Sequence, residues 1–186
     1  MKRIVITDRD KEIIQFLKDF KVATTTTISD LYFNSSIRPC QRRLKFLSEH
    51  GYIKSYQENV ITEKIHYVGR KPINLKHALI LSEFISKLKL NDIEIIKYKV
   101  PFKIENLIAD AFIAIKKDNR NYIYFVEVEN TKKFNLSKYE QLYYSRSWKE
   151  IFPIFPDIIV ISDRKVNKNS IFNIIDIKLD LSNLGI

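Results

Sequence analysis

The sequence predicts an α+β protein of two domains, residues 1–72 and 73–186. Apolar residues recur at helical spacing three times before residue 50, and two alternating segments follow Gly51. Gly69-Arg70-Lys71-Pro72 joins a flexible residue, two cations and a helix-breaking proline, in a chain with only 3 Gly and 5 Pro, so it is the strongest boundary signal. Beyond it, helical and strand-like patterns follow one another as in a small mixed α/β domain.

The first helix is predicted over residues 7–20. Thr7 and Asp10 have the spacing of a capping box, in which hydroxyl and carboxylate each accept from the other's backbone N–H, and Ile13, Ile14, Phe16, Leu17 and Phe20 form an apolar stripe. The β-branched run Thr24 to Thr27 suits a short extended stretch ending in a cap, with a second helix over Ile28 to Phe33. Asn34-Ser35-Ser36 is a turn and cap signal. Pro39 fits the first turn of a third helix, Ile37 to His50, which Gly51 would end. Tyr52 to Gln57 and Val60 to Val68 then alternate like a hairpin. Three helices followed by a two-stranded wing is the order of a winged helix-turn-helix.

Charge and spacing point to a polyanionic partner. Net charge is +10, with 14 Lys/Arg against 8 Asp/Glu before Pro72 and 18 against 14 from there on. Such an excess favours phosphate neutralisation with counterion release. In the third helix Ile37, Cys40, Leu44 and Leu47 are expected to face the core, with Arg38, Gln41, Arg42 and Lys45 on the opposite face. Arginine can fork onto guanine and glutamine onto adenine in a major groove, and lysine reaches phosphates. Lys54 and Lys64 on the wing would touch phosphates or the minor groove.

Other classes are disfavoured. One cysteine, Cys40, excludes an intramolecular disulfide and a cysteine-based zinc site, and on the apolar stripe it reads as a small core residue. His50, His66 and His77 lie too far apart in sequence for a close-spaced metal pair. The first ten residues are charged without an apolar segment, and no apolar run reaches about 18 residues, so a cytoplasmic protein without a membrane partner is expected.

In the second half, Leu75 to Leu90 is an amphipathic helix offering Leu79, Phe84, Ile85 and Leu88 for burial. Strands are expected at Ile93 to Val100, Ile108 to Ile115 and Tyr122 to Glu129, with a polar turn at residues 116–121. A helix over Leu136 to Ile151, a strand at Asp157 to Ser162, a weaker helix at Asn169 to Asn173 and a strand at Ile174 to Leu181 complete the chain. This order resembles the core of the PD-(D/E)xK nuclease fold, which places an acid on its second strand and a carboxylate-x-Lys triplet on its third. Asp110 stands at the start of the second strand, and Glu127 and Glu129, two apart, share one face of the third. If Asp110 faces them, the three carboxylates would suit Mg²⁺, with Asp110 and Glu127 as ligands. Glu129 occupies the place of the motif lysine, so Lys138 or Lys132 would substitute for it. In the competing reading no cofactor is needed, and Lys132, Lys133 and Lys138 pair with the acids of an inherited scaffold.

Two blocks resemble the replication-relaxation family of Gram-positive plasmids and mobile elements. The first is Ile6-Thr7-Asp8-Arg9-Asp10, with Arg42-Arg43-Leu44-Lys45-Phe46-Leu47 and Gly51-Tyr52-Ile53. The second is Phe125-Val126-Glu127-Val128-Glu129-Asn130-Thr131, then Lys138-Tyr139 and Tyr143-Tyr144, before the apolar strand. The chain departs from the family at Asn130, where Gly is usual, and in a shortened linker. The resemblance implies a plasmid-encoded factor in replication initiation, DNA processing for transfer, or their control, with a homodimer or a replication or relaxosome protein as possible partners. Sequence-specific binding of double-stranded DNA is therefore the expected function. The alternatives are a metal-dependent nuclease or nickase using Asp110, Glu127, Glu129 and Lys138, and a repressor or adaptor whose C-terminal half dimerises or recruits a protein.

Overall fold

The computed structural model describes residues 5–130, 133–166 and 171–185. The fold is α+β, in two compact units, Met1–Leu90 and Asn91–Ile186.

The first unit begins with α1 (Asp8–Phe20), whose capping box forms as its sequence dictates. The Asp10 amide donates to Thr7 Oγ1 at 3.3 Å, and the Thr7 amide donates to Asp10 Oδ2 at 2.7 Å. After β1 (Ala23–Thr24) the threonine run turns helical at once: α2 spans Thr25–Tyr32. Thr24 Oγ1 accepts from the Thr27 amide at 3.0 Å, and this cap starts the helix three residues earlier than the β-branched composition implied. Asn34 and Ser35, both at positive φ, turn the chain into α3 (Ile37–Glu49). Gly51, at φ 75°, ends the helical segment.

Strands β2 (Lys54–Tyr56) and β3 (Ile65–Tyr67) pair antiparallel, and β1 adds to β3 to give the order β1-β3-β2. Both hairpin strands are shorter than their alternating patterns, because residues between Gln57 and Thr62 close a side-chain-bonded loop.

Helix α4 (Leu75–Leu90) packs against α1, α2 and β1, burying Ile80, Leu81, Phe84, Ile85 and Leu88. The division therefore falls after Leu90 rather than at Pro72. The turn at residues 69–72 breaks secondary structure, but the apolar face of α4 is what closes the core of Ile13, Phe16, Leu17, Phe20 and Ile28. The shift also redistributes charge. Residues 1–90 hold 17 Lys/Arg against 9 Asp/Glu, net +8, which leaves 15 against 13 and net +2 beyond.

The second unit consequently lacks the leading helix of the nuclease-like order. It contains β4 (Glu94–Lys99), β5 (Phe102–Ile104), β6 (Leu107–Ala109), β7 (Ala111–Lys117), β8 (Arg120–Val128), α5 (Ser137–Ser145), β9 (Asp157–Ile161) and β10 (Ile174–Ile177). The sheet order is β10-β9-β8-β7-β4, with β4-β7-β8 antiparallel and β8-β9-β10 parallel. Phe102, Phe112, Phe125, Tyr139, Leu142, Trp148 and Phe152 form its aromatic core.

Five differences from expectation occur in this unit. The strand over Ile108 to Ile115 divides at Asp110, whose carboxylate accepts the Val128 amide at 2.8 Å just beyond the ladder pair Ala111–Val126. The short β5-β6 hairpin was not anticipated. The helix over Leu136 to Ile151 stops at Ser145: Arg146 turns left-handed, a 3₁₀ turn follows at Ser147–Glu150, and Trp148 folds inward to donate to the Tyr143 carbonyl at 3.1 Å. The last strand ends at Ile177, short of Leu181. Of the weak helix at Asn169 to Asn173, residues 171–173 are non-helical, and 169–170 lie outside the described residues.

Candidate nucleic-acid interface

Helix α3 presents two faces fixed by its packing. Cys40, Leu44 and Leu47 are buried, while Arg38, Gln41, Arg42 and Lys45 are all exposed. Ile37, expected in the core, is 36 % exposed and lines a groove instead. Cys40 donates its thiol to the Thr25 carbonyl at 3.7 Å, and burial pushes the thiol up to about 12, so it is inert at neutral pH.

Between the exposed Arg42 and the buried Leu44 stands a residue whose role the sequence reading missed. Arg43 Nε donates to Asp10 Oδ1 at 2.8 Å, and its Nη2 donates to Asp10 Oδ2 and, at 2.9 Å, to the Val5 carbonyl. Its guanidinium also lies 4.5 Å over the Phe46 ring. Asp10 is fully buried. Burial pushes its carboxyl up, but hydrogen bonds from Arg43 and Thr7 outweigh that and hold it down at about 2. The clamp joins α3 to the start of α1 and fixes which face of α3 looks outward. A sequence signal existed: Arg43 falls on the Cys40–Leu44–Leu47 stripe, and a cation on a buried stripe requires a buried acid.

The hairpin stands beside the outward face. Gln41, Lys45 and Ser48 of α3 face Ser55, Gln57 and Lys64 across an open groove of about 620 Å³. Lys54 and Lys64 are exposed on the hairpin. Glu63, on the same groove, accepts the Thr26 amide at 2.6 Å, which ties the hairpin to α2. His66 is buried with Nε2 3.0 Å from Thr25 Oγ1. Burial first, and nearby Lys64 second, hold its pKa down at about 4, so it is neutral at physiological pH. Of the predicted contact residues, Gln41, Lys45 and Lys64 thus share this groove, while Arg38, Arg42 and Lys54 are exposed but do not line it.

The acidic residues of the second unit divide into two separate arrangements. Glu127 Oε1 accepts from Lys138 Nζ at 2.5 Å and from the Tyr139 hydroxyl, and Lys138 also donates to the Ile108 carbonyl at 3.1 Å. Burial and the neighbouring Asp110 push the Glu127 carboxyl up, against the pull of Lys138 and Tyr139. Glu129 has different partners: Ser162 Oγ donates to it at 2.7 Å and Arg164 Nη1 at 3.2 Å. Among the described residues no group of three or more His, Cys, Asp or Glu side chains is placed to hold a metal ion, while Asp110 lies near enough to Glu127 to raise its carboxyl. Lys133 is exposed, and Lys132 lies outside the described residues. Ser162 and Arg164 were missed by the sequence reading, and Tyr139 stood only in the Lys138-Tyr139 block, without a role. Nothing in the spacing marks them, since they arrive from α5 and from beyond β9.

Compared with family models, with characterised proteins and with solved structures, the chain matches none.

Proposed function

We propose that this chain binds double-stranded DNA through a winged helix-turn-helix, with α3 in the major groove. One observation carries the reading: the Asp10–Arg43 clamp and the buried Cys40, Leu44 and Leu47 turn Arg38, Gln41, Arg42 and Lys45 outward together. The setting supports it, since α1, α2 and α3 are followed by the β1-β3-β2 sheet in a unit of net charge +8. Arg38 and Arg42 would fork onto guanine edges or phosphates, Gln41 would read adenine, and Lys45, Lys54 and Lys64 would neutralise phosphates. The resemblance to the replication-relaxation family directs this activity to replication, transfer or control of a plasmid or mobile element.

We further infer that the second unit serves as a PD-(D/E)xK-like scaffold for dimerisation or a protein partner rather than as a nuclease. The Lys138 and Tyr139 bonds to Glu127, and the Arg164 and Ser162 bonds to Glu129, favour this over a metal-dependent site. A mobility-shift assay on the region upstream of its own gene, run beside cleavage of supercoiled plasmid with Mg²⁺ or Mn²⁺, tests both statements. A shift without nicking is expected. Nicking abolished by Glu127→Ala would establish the nuclease instead, and no shift would remove the DNA-binding reading.

A further inference from the structure

The loop joining β2 to β3 displays two adjacent branched apolar side chains, Val60 and Ile61, each 96 % exposed. A tip of this kind is ordinarily polar, because exposed apolar side chains gain nothing from water. The backbone beneath them is fixed by three side chains. Asn59 Oδ1 accepts the amides of Ile61 at 3.0 Å and Thr62 at 2.9 Å. Thr62 Oγ1 accepts the Asn59 amide at 3.1 Å and donates to the Asn59 carbonyl at 3.0 Å. Gln57 Nε2 donates to the carbonyls of Val60 and Thr62 at 3.4 and 2.8 Å. The loop is therefore a preorganised mount, and ordering it on binding costs little entropy.

Its surroundings select a polyanion as the occupant. Lys54, Lys64, Arg70 and Lys71, all exposed, outnumber Glu58 and Glu63 on the hairpin and its exit. Lys71 Nζ lies 3.7 Å over the Tyr56 ring, which holds one of these charges against the hairpin. Glu63 is turned to the Thr26 amide. The hairpin also borders the groove whose other wall is α3, so a duplex on α3 meets the hairpin as well.

We propose that Val60 and Ile61 form an apolar wedge that enters the minor groove and partly unstacks one base step, kinking the duplex that α3 holds. This rests on the DNA-binding reading and extends it from recognition to deformation. Burial of two branched side chains between bases would offset the lost stacking, and the lysines would follow the bent backbone. Pyrimidine–purine steps, TA above all, unstack most readily and are the expected target.

The test uses the full chain and a duplex of repeated TA steps, carrying donor and acceptor dyes at its ends and 2-aminopurine within. Anisotropy reports binding, energy transfer reports bending, and 2-aminopurine brightening reports unstacking. The native protein is expected to bind at low salt, raise energy transfer as for a kink of roughly 20–90°, and brighten 2-aminopurine. Val60→Ser/Ile61→Ser, whose melting temperature should equal the native value because both positions are exposed, is expected to bind but to give neither optical signal. Binding by the native protein without bending or brightening overturns the wedge and leaves DNA binding standing, as does a double variant that bends DNA fully. A dimer in sedimentation that the same double variant disrupts would assign the tip to a second copy and overturns the wedge too. No anisotropy change with the native protein overturns the DNA-binding reading itself.

Discussion

Replacing Arg43 with methionine keeps most of the hydrocarbon stem but removes the charge that Asp10 was buried with. Asp10 is fully buried and would retain only the Thr7 amide and hydroxyl as donors. Removing one partner of a buried pair typically costs about 3–5 kcal/mol. The fall of the Asp10 carboxyl from 3.8 to about 2 gives an independent scale, roughly 2–3 kcal/mol favouring the charged form in the folded protein. Because the Thr7 donors survive, the loss should be near 3 kcal/mol, a melting temperature lower by roughly 12–24 °C for a unit of this size. The pH dependence has a definite sign. A carboxyl depressed on folding stabilises above its unfolded pKa, and that contribution disappears as pH falls through its folded value. The native protein should therefore lose this term between about pH 4 and pH 2. In Arg43→Met, burial raises the Asp10 carboxyl, so the residue protonates earlier and the gap to the native protein narrows over the same interval. Urea titrations at neutral and acidic pH, followed by circular dichroism, measure both effects. A loss below about 1 kcal/mol, within the range of exposed pairs, or a gap unchanged on acidification, would refute the clamp.

The neighbouring residue should behave in the opposite way: Arg42→Ala should leave the melting temperature unchanged and weaken specific DNA binding by about 1–3 kcal/mol, seen in a mobility-shift titration. Millimolar Mg²⁺ or Mn²⁺ should not raise the melting temperature, because Lys138 already neutralises Glu127; a metal-dependent rise that vanishes in Glu127→Ala would contradict this. Removing Lys138 should reduce stability more at neutral than at acidic pH, since protonation relieves the buried Glu127 carboxylate whose pKa burial and Asp110 already push up; equal losses at both pH values would count against the pairing.

Local signals were legible wherever they were self-contained. The Thr7–Asp10 box set the start of α1, and the spacing of Cys40, Leu44 and Leu47 oriented α3, leaving Arg38, Gln41, Arg42 and Lys45 outside. Non-local packing was not legible. The Gly-Arg-Lys-Pro turn looked like a domain boundary, yet α4 returns to cover α1 and α2, a choice made by complementary apolar faces far apart in sequence. Asp110 interrupted an otherwise plausible strand because its side chain captures an amide from β8. Glu127 and Glu129 read as one acidic set by strand periodicity, but Lys138 with Tyr139 and Ser162 with Arg164 divide them, and those partners are brought in by tertiary structure. Ile37 shows the limit of stripe reasoning at a helix end, where the first turn of the stripe overhangs the groove.

The central claim is that the outward face of α3 holds duplex DNA. Anisotropy titrations of a labelled duplex from the region upstream of the gene, at several salt concentrations, test it with native protein and Arg38→Ala/Arg42→Ala. The account predicts a linear fall of log K with log salt at a slope of about −0.9 per neutralised phosphate, and a shallower slope with weaker binding for the double variant. A double variant that folds normally and binds with unchanged affinity and slope would contradict it.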